Sequence, residues 1–234
     1  LSVLRGLSYQ REPERAWEEL KELADNVEAR VSELEGAIGK YPHGVAITEG
    51  HLSLPPHNAN PLLYEWLSAG YHARSLNIYQ RHGARVKIAT AADFQGNRWT
   101  VNAVMLQTPG RISYLMPVAS ITRLFRKHNG RHGVATPSAP SELDIAASIT
   151  GETVFLHVVN LSFSRAVETS FEVAGRRIEG GRVHEIAPAD PREYVRPDQP
   201  KIFDPVEREL AGAPVRWRFP ARSVSVVELR TTSA

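Results

Sequence analysis

The chain has 234 residues, 42% hydrophobic and 23% charged, with a formal net charge of +2 at pH 7 and no cysteine. That length suits one large domain or two smaller ones. The small net charge gives no reason to expect a nucleic-acid or anionic-membrane partner, and the missing thiols exclude disulfide and thiolate chemistry. No apolar run approaches a membrane span, and no basic-then-apolar signal segment opens the chain, so a cytoplasmic location is the expectation. The first residue is Leu1 rather than methionine, which reads as a processed or truncated piece of something longer.

A helix is predicted from about Pro13 to Ile38. Pro13 suits a first turn. Trp17, Leu20, Ala24, Val27, Val31, Leu34 and Ile38 recur at alternating spacings of three and four, which makes one apolar stripe. Residues 39–44 break the helix. Val45-Ala46-Ile47-Thr48 follows without alternation, as in a parallel strand covered on both faces. After a loop with Pro55, Pro56 and His57, a second helix is expected over 61–83. It would turn Leu63, Trp66, Leu67, Gly70, Ala73 and Leu76 to a core. A second strand is expected at 86–90. Strand, helix, strand makes a right-handed βαβ unit. A third helix is predicted from Pro117 to Lys127.

Beyond Gly133 the texture changes. Pro137, Ser138, Ala139 and Pro140 form a linker-like cluster. Short β-rich runs follow at 143–149, 153–160, 166–173, 181–185, 215–219 and 223–229, as in an antiparallel sandwich. The chain therefore reads as α/β over residues 1–136 and all-β over 137–234.

The first strand runs straight into Glu49-Gly50-His51. Functional groups of parallel sheets and barrels collect at the carboxyl ends of strands. Glu49 stands at such an end, and Asp93 and Gln95 lie just past the second strand. A carboxylate held there can attack an electrophilic carbon or move a proton. Gly50 would let a substrate or a neighbouring loop come close. The competing reading of Glu49 is a solvated loop residue or a salt-bridge partner.

The order of these pieces resembles the α-L-arabinofuranosidases of glycoside hydrolase family 51. The pieces are 45–50, the helix at 61–82, Arg85-Val86-Lys87-Ile88-Ala89, the segment 93–106, and a closing strand from Phe219-Pro220-Ala221-Arg222 to Leu229. Leu156-His157-Val158-Val159-Asn160-Leu161-Ser162 is similar to a sandwich segment of that family. The resemblance covers nearly the whole chain. It implies the C-terminal portion of a (β/α)8 barrel followed by a jelly-roll-like β-sandwich. It also implies retaining hydrolysis of α-L-arabinofuranosyl residues from arabinose-containing polysaccharides or oligosaccharides, with Glu49 as nucleophile and no cofactor or metal. In that chemistry a second carboxyl stands about 5–5.5 Å away and serves as acid and then base.

Two departures accompany the resemblance. The family follows its nucleophile with tryptophan, where this chain has Gly50 and His51. The family's acid/base glutamate, in an Asn-Glu-Pro-like segment, has no counterpart, because the chain begins near the sixth strand. Two or three strands cannot close a barrel. The expected partners are therefore a second chain or a missing N-terminal segment, in a homo- or hetero-oligomer, together with the saccharide. Asp93, Gln95 and Asn97 are candidates for hydrogen bonds to sugar, and Trp99 for stacking on it, with a buried barrel cap as the competing role for Trp99. His51 and His57 are placed at the cleft border. The alternative function is a non-catalytic carbohydrate-binding or assembly subunit that keeps the fold without the chemistry.

Other motifs carry less. His128 and His132 have the zinc-helix spacing, but Gly130 interrupts it and no glutamate accompanies it. Asn160-Leu161-Ser162 fits a glycosylation acceptor but falls in a central strand. Gly175-Arg176-Arg177 is read as a hairpin turn. No Walker loop, dinucleotide fingerprint or Gly-x-Ser-x-Gly elbow is present.

Overall fold

The structure, a computed structural model, describes residues 2–56, 59–90, 93–107, 110 and 112–233. By contact the chain groups into two units, Leu1–Thr122 with Pro188–Phe203, and Arg123–Ala187 with Asp204–Ala234.

In the first unit, α1 (Pro13–Ile38) has proline in its first turn. It ends at Gly39, whose φ of 53° lets its N–H bond back to the Glu35 carbonyl at 2.9 Å. Ala16, Trp17, Leu20, Ala24 and Val31 are buried. Strands β1 (Val45–Ile47) and β2 (Val86–Ala89) pair in parallel, with α2 (Ala69–Arg81) between them in sequence. This is the expected βαβ unit. Val31, Val45, Ile78 and Val86 join the four elements in one core. The Trp17 ring lies against Gly70, where an added Cβ would stand 2.6 Å from Cη2.

Two expectations need correction. The strand pair is not covered on both faces, since Ala46 is exposed and Ile88 is 54% exposed. Among the described residues the sheet has two strands and packs one face on the helices. A short apolar run cannot report which of its faces is covered. The second helix also starts later than expected. Pro61–Tyr64 and Trp66–Ser68 are 3-10 turns, and α2 begins at Ala69. Between them Glu65 is extended and bridges Tyr194, while Trp66 N–H donates to the Glu193 carbonyl at 2.8 Å. The returning segment takes backbone groups that a continuous helix would have used internally.

Strands β3 (Gln95–Gly96), β4 (Val104–Gln107) and β5 (Ile112–Leu115) form a small mixed sheet, parallel then antiparallel. Helix α3 (Pro117–Lys127) matches its expected span. Arg126 and Lys127 occupy its last turn, where positive charge suits the helix dipole.

The second unit contains β6 (His132–Val134), β7 (Leu143–Thr150), β8 (Thr153–Asn160), β9 (Val167–Ser170), β10 (Arg176–Ile186), β11 (Val206–Leu210), β12 (Arg216–Phe219) and β13 (Val224–Ser233). Six of them form an antiparallel sheet in the order β11-β10-β13-β8-β7-β6, and β9 pairs with β12. The core joins Val154, Val158, Val183, Val227 and Leu229 to Phe171 and Phe219. The edge strands β6 and β11 have no predicted counterpart. Glu207, Arg208 and Glu209 are exposed on β11, and charge on an edge strand discourages further pairing.

Asn160 is fully buried. Its Nδ2 donates to the carbonyls of Arg165, Phe219 and Pro220 at 2.9, 3.1 and 2.9 Å, and its Oδ1 accepts from Ser162 N–H at 2.9 Å. The Asn-Leu-Ser triplet is an internal brace with no free amide to modify.

Candidate functional site

Because β1 and β2 are parallel, their carboxyl ends lie together, and the segments after both strands leave from one end of the pair. Thr90 ties the ends, with its N–H donating to the Ile47 carbonyl at 2.9 Å and its Oγ1 to the Thr48 carbonyl at 2.9 Å. Gly50 N–H returns a bond to the Thr90 carbonyl at 3.1 Å. A Cβ at Gly50 would stand 3.0 Å from that carbonyl oxygen. The close approach at Gly50 is thus made by the neighbouring strand end. Between these anchored residues Glu49 is exposed. Its carboxylate has no hydrogen-bond or ion-pair partner among the described residues.

Asp93 has φ of 48°, a left-handed conformation that aspartate tolerates better than most residues, and its carbonyl accepts from Ala103 N–H at 3.1 Å. Gln95 is exposed on β3, and Asn97 is exposed in the turn that follows. Trp99 is 50% exposed. Phe94 is 69% exposed, a second open aromatic on this segment that sequence reasoning passed over. Nothing among the described residues bonds Glu49 to Asp93, Gln95, Asn97, His51 or Trp99. His57 lies outside the described residues.

His51 lines a groove of about 900 Å³ with Val27, Val31, Leu34, Ile47 and Tyr71, and Glu49 is not part of that lining. The His51 Nδ1 is buried without a hydrogen bond. His72 is also buried. Burial, reinforced by the neighbouring His51, pushes its pKa down to about 3 and holds it neutral. Sequence reasoning missed His72. Its place on α2, between buried Ala69 and Ala73 on the same face, was the available signal.

A different carboxylate is more perturbed. Glu65 is 5% exposed. Burial raises its pKa against the opposing pull of Arg192. Arg192 grips both oxygens, Nη2 to Oε1 at 2.8 Å and Nε to Oε2 at 3.0 Å, and Tyr9 Oη donates to Oε1 at 3.2 Å. With every oxygen engaged, Glu65 serves as an anchor for the returning segment and is poorly placed to be a nucleophile.

No protein-family model and no curated protein matches the sequence. Solved structures do match. The GH51 α-L-arabinofuranosidase from Thermotoga petrophila is similar with a TM-score of 0.69 and 20% identity, over 91% of this chain and 48% of that one. The arabinose complex of the α-L-arabinofuranosidase from Thermotoga maritima gives a TM-score of 0.66 and 19% identity, over 98% and 49%. A family 44 endoglucanase from Clostridium acetobutylium is similar at a TM-score of 0.57 and 14% identity, over 86% and 35%. The chain spans less than half the length of each of these proteins. The fold is one shared with family 51 arabinofuranosidase structures, with mixed helix and sheet and largely antiparallel strands. No helix among the described residues is long and apolar enough to cross a membrane.

Proposed function

We propose, from the fold shared with family 51 arabinofuranosidase structures, that this chain is part of a retaining glycoside hydrolase. It removes α-L-arabinofuranosyl residues from arabinose-containing polysaccharides or oligosaccharides, with Glu49 as the nucleophile. In this reading residues 1–136 are the C-terminal portion of a (β/α)8 barrel and 137–234 a β-sandwich. The observation that carries it is the uncovered Glu49 carboxylate at the shared carboxyl end of β1 and β2. The backbone around it is held by the Thr90 and Gly50 bonds, so the carboxylate is presented from a rigid base.

Glu49 attacks the anomeric carbon as the bond to the leaving oxygen breaks, and a covalent glycosyl-enzyme forms. A second carboxyl protonates that oxygen and then takes a proton from the attacking water, which restores Glu49 with retained configuration. That second carboxyl comes from outside this chain, from an upstream segment or a second polypeptide. The exposed Ile88 and the outer edges of β1 and β2, unpaired among the described residues, are the surface such an addition would cover, and assembly into a homo- or hetero-oligomer belongs to the same reading. Asp93, Gln95, Asn97, His51 and Trp99 are the proposed sugar contacts.

The test uses the completed enzyme, this chain joined or co-expressed with the upstream barrel portion, acting on an aryl α-L-arabinofuranoside. Glu49→Gln is expected to lower kcat by about 10³-fold or more, as loss of a nucleophile does, with unchanged circular dichroism. Undiminished turnover by Glu49→Gln removes the nucleophile assignment. The second reading, a non-catalytic carbohydrate-binding subunit, draws on Gly50 and His51 standing where the family has tryptophan. Saturable arabino-oligosaccharide binding without turnover by the completed protein would favour it.

A further inference from the structure

We propose that the second unit carries a site for a borderline divalent transition-metal ion of the Zn²⁺ class, formed by His128, His184 and Glu228. These residues come from the end of α3, from β10 and from β13, and one ligand atom from each lies within 4.8 Å of the others. The Glu228 carboxylate reaches a ring nitrogen of each imidazole. Its Oε1 is 2.5 Å from His128 Nδ1 and its Oε2 is 3.6 Å from His184 Nε2. The two rings are stacked with centroids 3.9 Å apart. A tetrahedral ion with bonds of roughly 2.0–2.1 Å sets its ligand atoms about 3.4 Å apart. With one ligand atom from each residue within 4.8 Å of the other two, no pair needs to shift by more than about 1.4 Å to reach that spacing.

Burial argues in the same direction. His128 and His184 are 8% and 6% exposed. His184 Nε2 is buried with no hydrogen bond. A buried ring nitrogen without a hydrogen bond is unfavourable, and an ion at this point would satisfy it. The other nitrogen, Nδ1, faces Glu207 Oε2 at 3.5 Å. A carboxylate behind a ligating histidine selects the tautomer that leaves the opposite nitrogen free to bind metal. Strand register explains the arrangement, because Glu207 lies directly across from His184, and Glu228 across from Arg182, two residues away on the same face. Glu228 remains 25% exposed at its side chain, so an ion can arrive from solvent.

Elsewhere His82 also meets two carboxylates, Glu28 and Glu35. They bond opposite ring nitrogens, so no single ion could reach all three. At the proposed site both nitrogens converge on one carboxylate. An ion there would fasten the end of α3 to β10 and β13. This inference does not depend on the hydrolase reading and is tested on the chain alone.

The metal-stripped chain is titrated with ZnCl₂ by calorimetry and, in parallel, with Co²⁺ followed by visible absorption. One ion per chain is expected, with a tetrahedral Co²⁺ band. His184→Gln and Glu228→Gln should each weaken Zn²⁺ binding at least tenfold and erase the band. Glu207→Gln should weaken binding roughly 10- to 100-fold, as loss of an outer carboxylate does. Arg165→Gln, which pairs with Glu142 away from these residues, should leave it unchanged. Circular dichroism checks folding of each variant. Should one fail to fold, Zn²⁺-induced shifts of the His128 and His184 ring nitrogens in the wild-type NMR spectrum decide instead. No saturable binding by the wild-type chain, or binding that survives both His184→Gln and Glu228→Gln, overturns the proposal.

Discussion

Replacing Arg192 by methionine removes both charged bonds to Glu65 and leaves a carboxylate that is 5% exposed with one remaining donor, the Tyr9 hydroxyl. Breaking a buried pair in this way costs about 3–5 kcal/mol. The Arg192 side chain is 33% exposed, so water can reach the vacated position, and we place the loss nearer 2–3 kcal/mol at pH 7. The pH dependence follows from the same geometry. Burial already holds the Glu65 carboxyl above its ordinary value, with Arg192 pulling the other way. Arg192→Met removes the opposing pull, so the folded-state value rises further above the unfolded one. The folded protein then takes up a proton before the unfolded chain does, and the deficit shrinks as pH falls through that folded value. The double variant Glu65→Leu/Arg192→Met removes both charges and should lose less than Arg192→Met alone. Urea unfolding followed by tryptophan fluorescence measures this, since Trp17 and Trp66 are buried in the same unit. A pH-7 loss below about 0.5 kcal/mol, or a loss constant from pH 7 to 4.5, would refute the assignment of Glu65–Arg192 as a buried anchor.

Three further outcomes are expected. Gly70→Ala gains up to about 1 kcal/mol of helix propensity, but it drives a methyl to 2.6 Å from the buried Trp17 ring. Overpacking of about 1–3 kcal/mol should win, and a lower Tm is the readout. His72, held neutral with a pKa of about 3, is charged only in the unfolded chain between that value and its ordinary 6.5. Stability should therefore fall as pH drops through this window, by up to roughly 4 kcal/mol from this residue, and His72→Phe should flatten the acid limb of a Tm-versus-pH curve. His82 has the opposite sign. Burial pulls its pKa down, but hydrogen bonds with Glu28 and Glu35 outweigh that and raise it. Its contribution is complete below about 6.5 and disappears as pH rises through the higher folded value. Denaturant midpoints should show His82→Gln costing more at pH 6 than at pH 9; an equal cost at both would count against a charged His82.

The elements that sequence identified well are those whose signal is local. The α1 stripe, α3 and the nearly continuous apolar run of β8 keep their period over enough residues to exclude other structures. The elements that escaped are short or polar. β6 and β11 sit at sheet edges, where half the usual apolar pattern is absent, and β3 is two residues long. The late start of α2 was hidden because Pro61, Leu63, Trp66 and Leu67 are buried or partly buried whether they lie on a helix or on 3-10 turns. What separates these outcomes is a segment more than a hundred residues away that bonds to Glu65. At the candidate site, the position of Glu49 after a strand was legible. Its exposure and the separation of His51 into a groove that Glu49 does not line were not.

Residue order alone determined the alternation of helix and strand, the carboxylate at the end of β1 and the change to β-rich chain, because periodicity, proline, glycine and β-branched runs act within a few residues. Tertiary structure decided which charged groups meet. Glu65 and Arg192 are 127 residues apart in sequence and share two bonds, and His128 meets Glu228 across 100. Such pairs arise from strand register and chain return. No local pattern encodes them, since each partner's environment exists only after both have been brought to the same place.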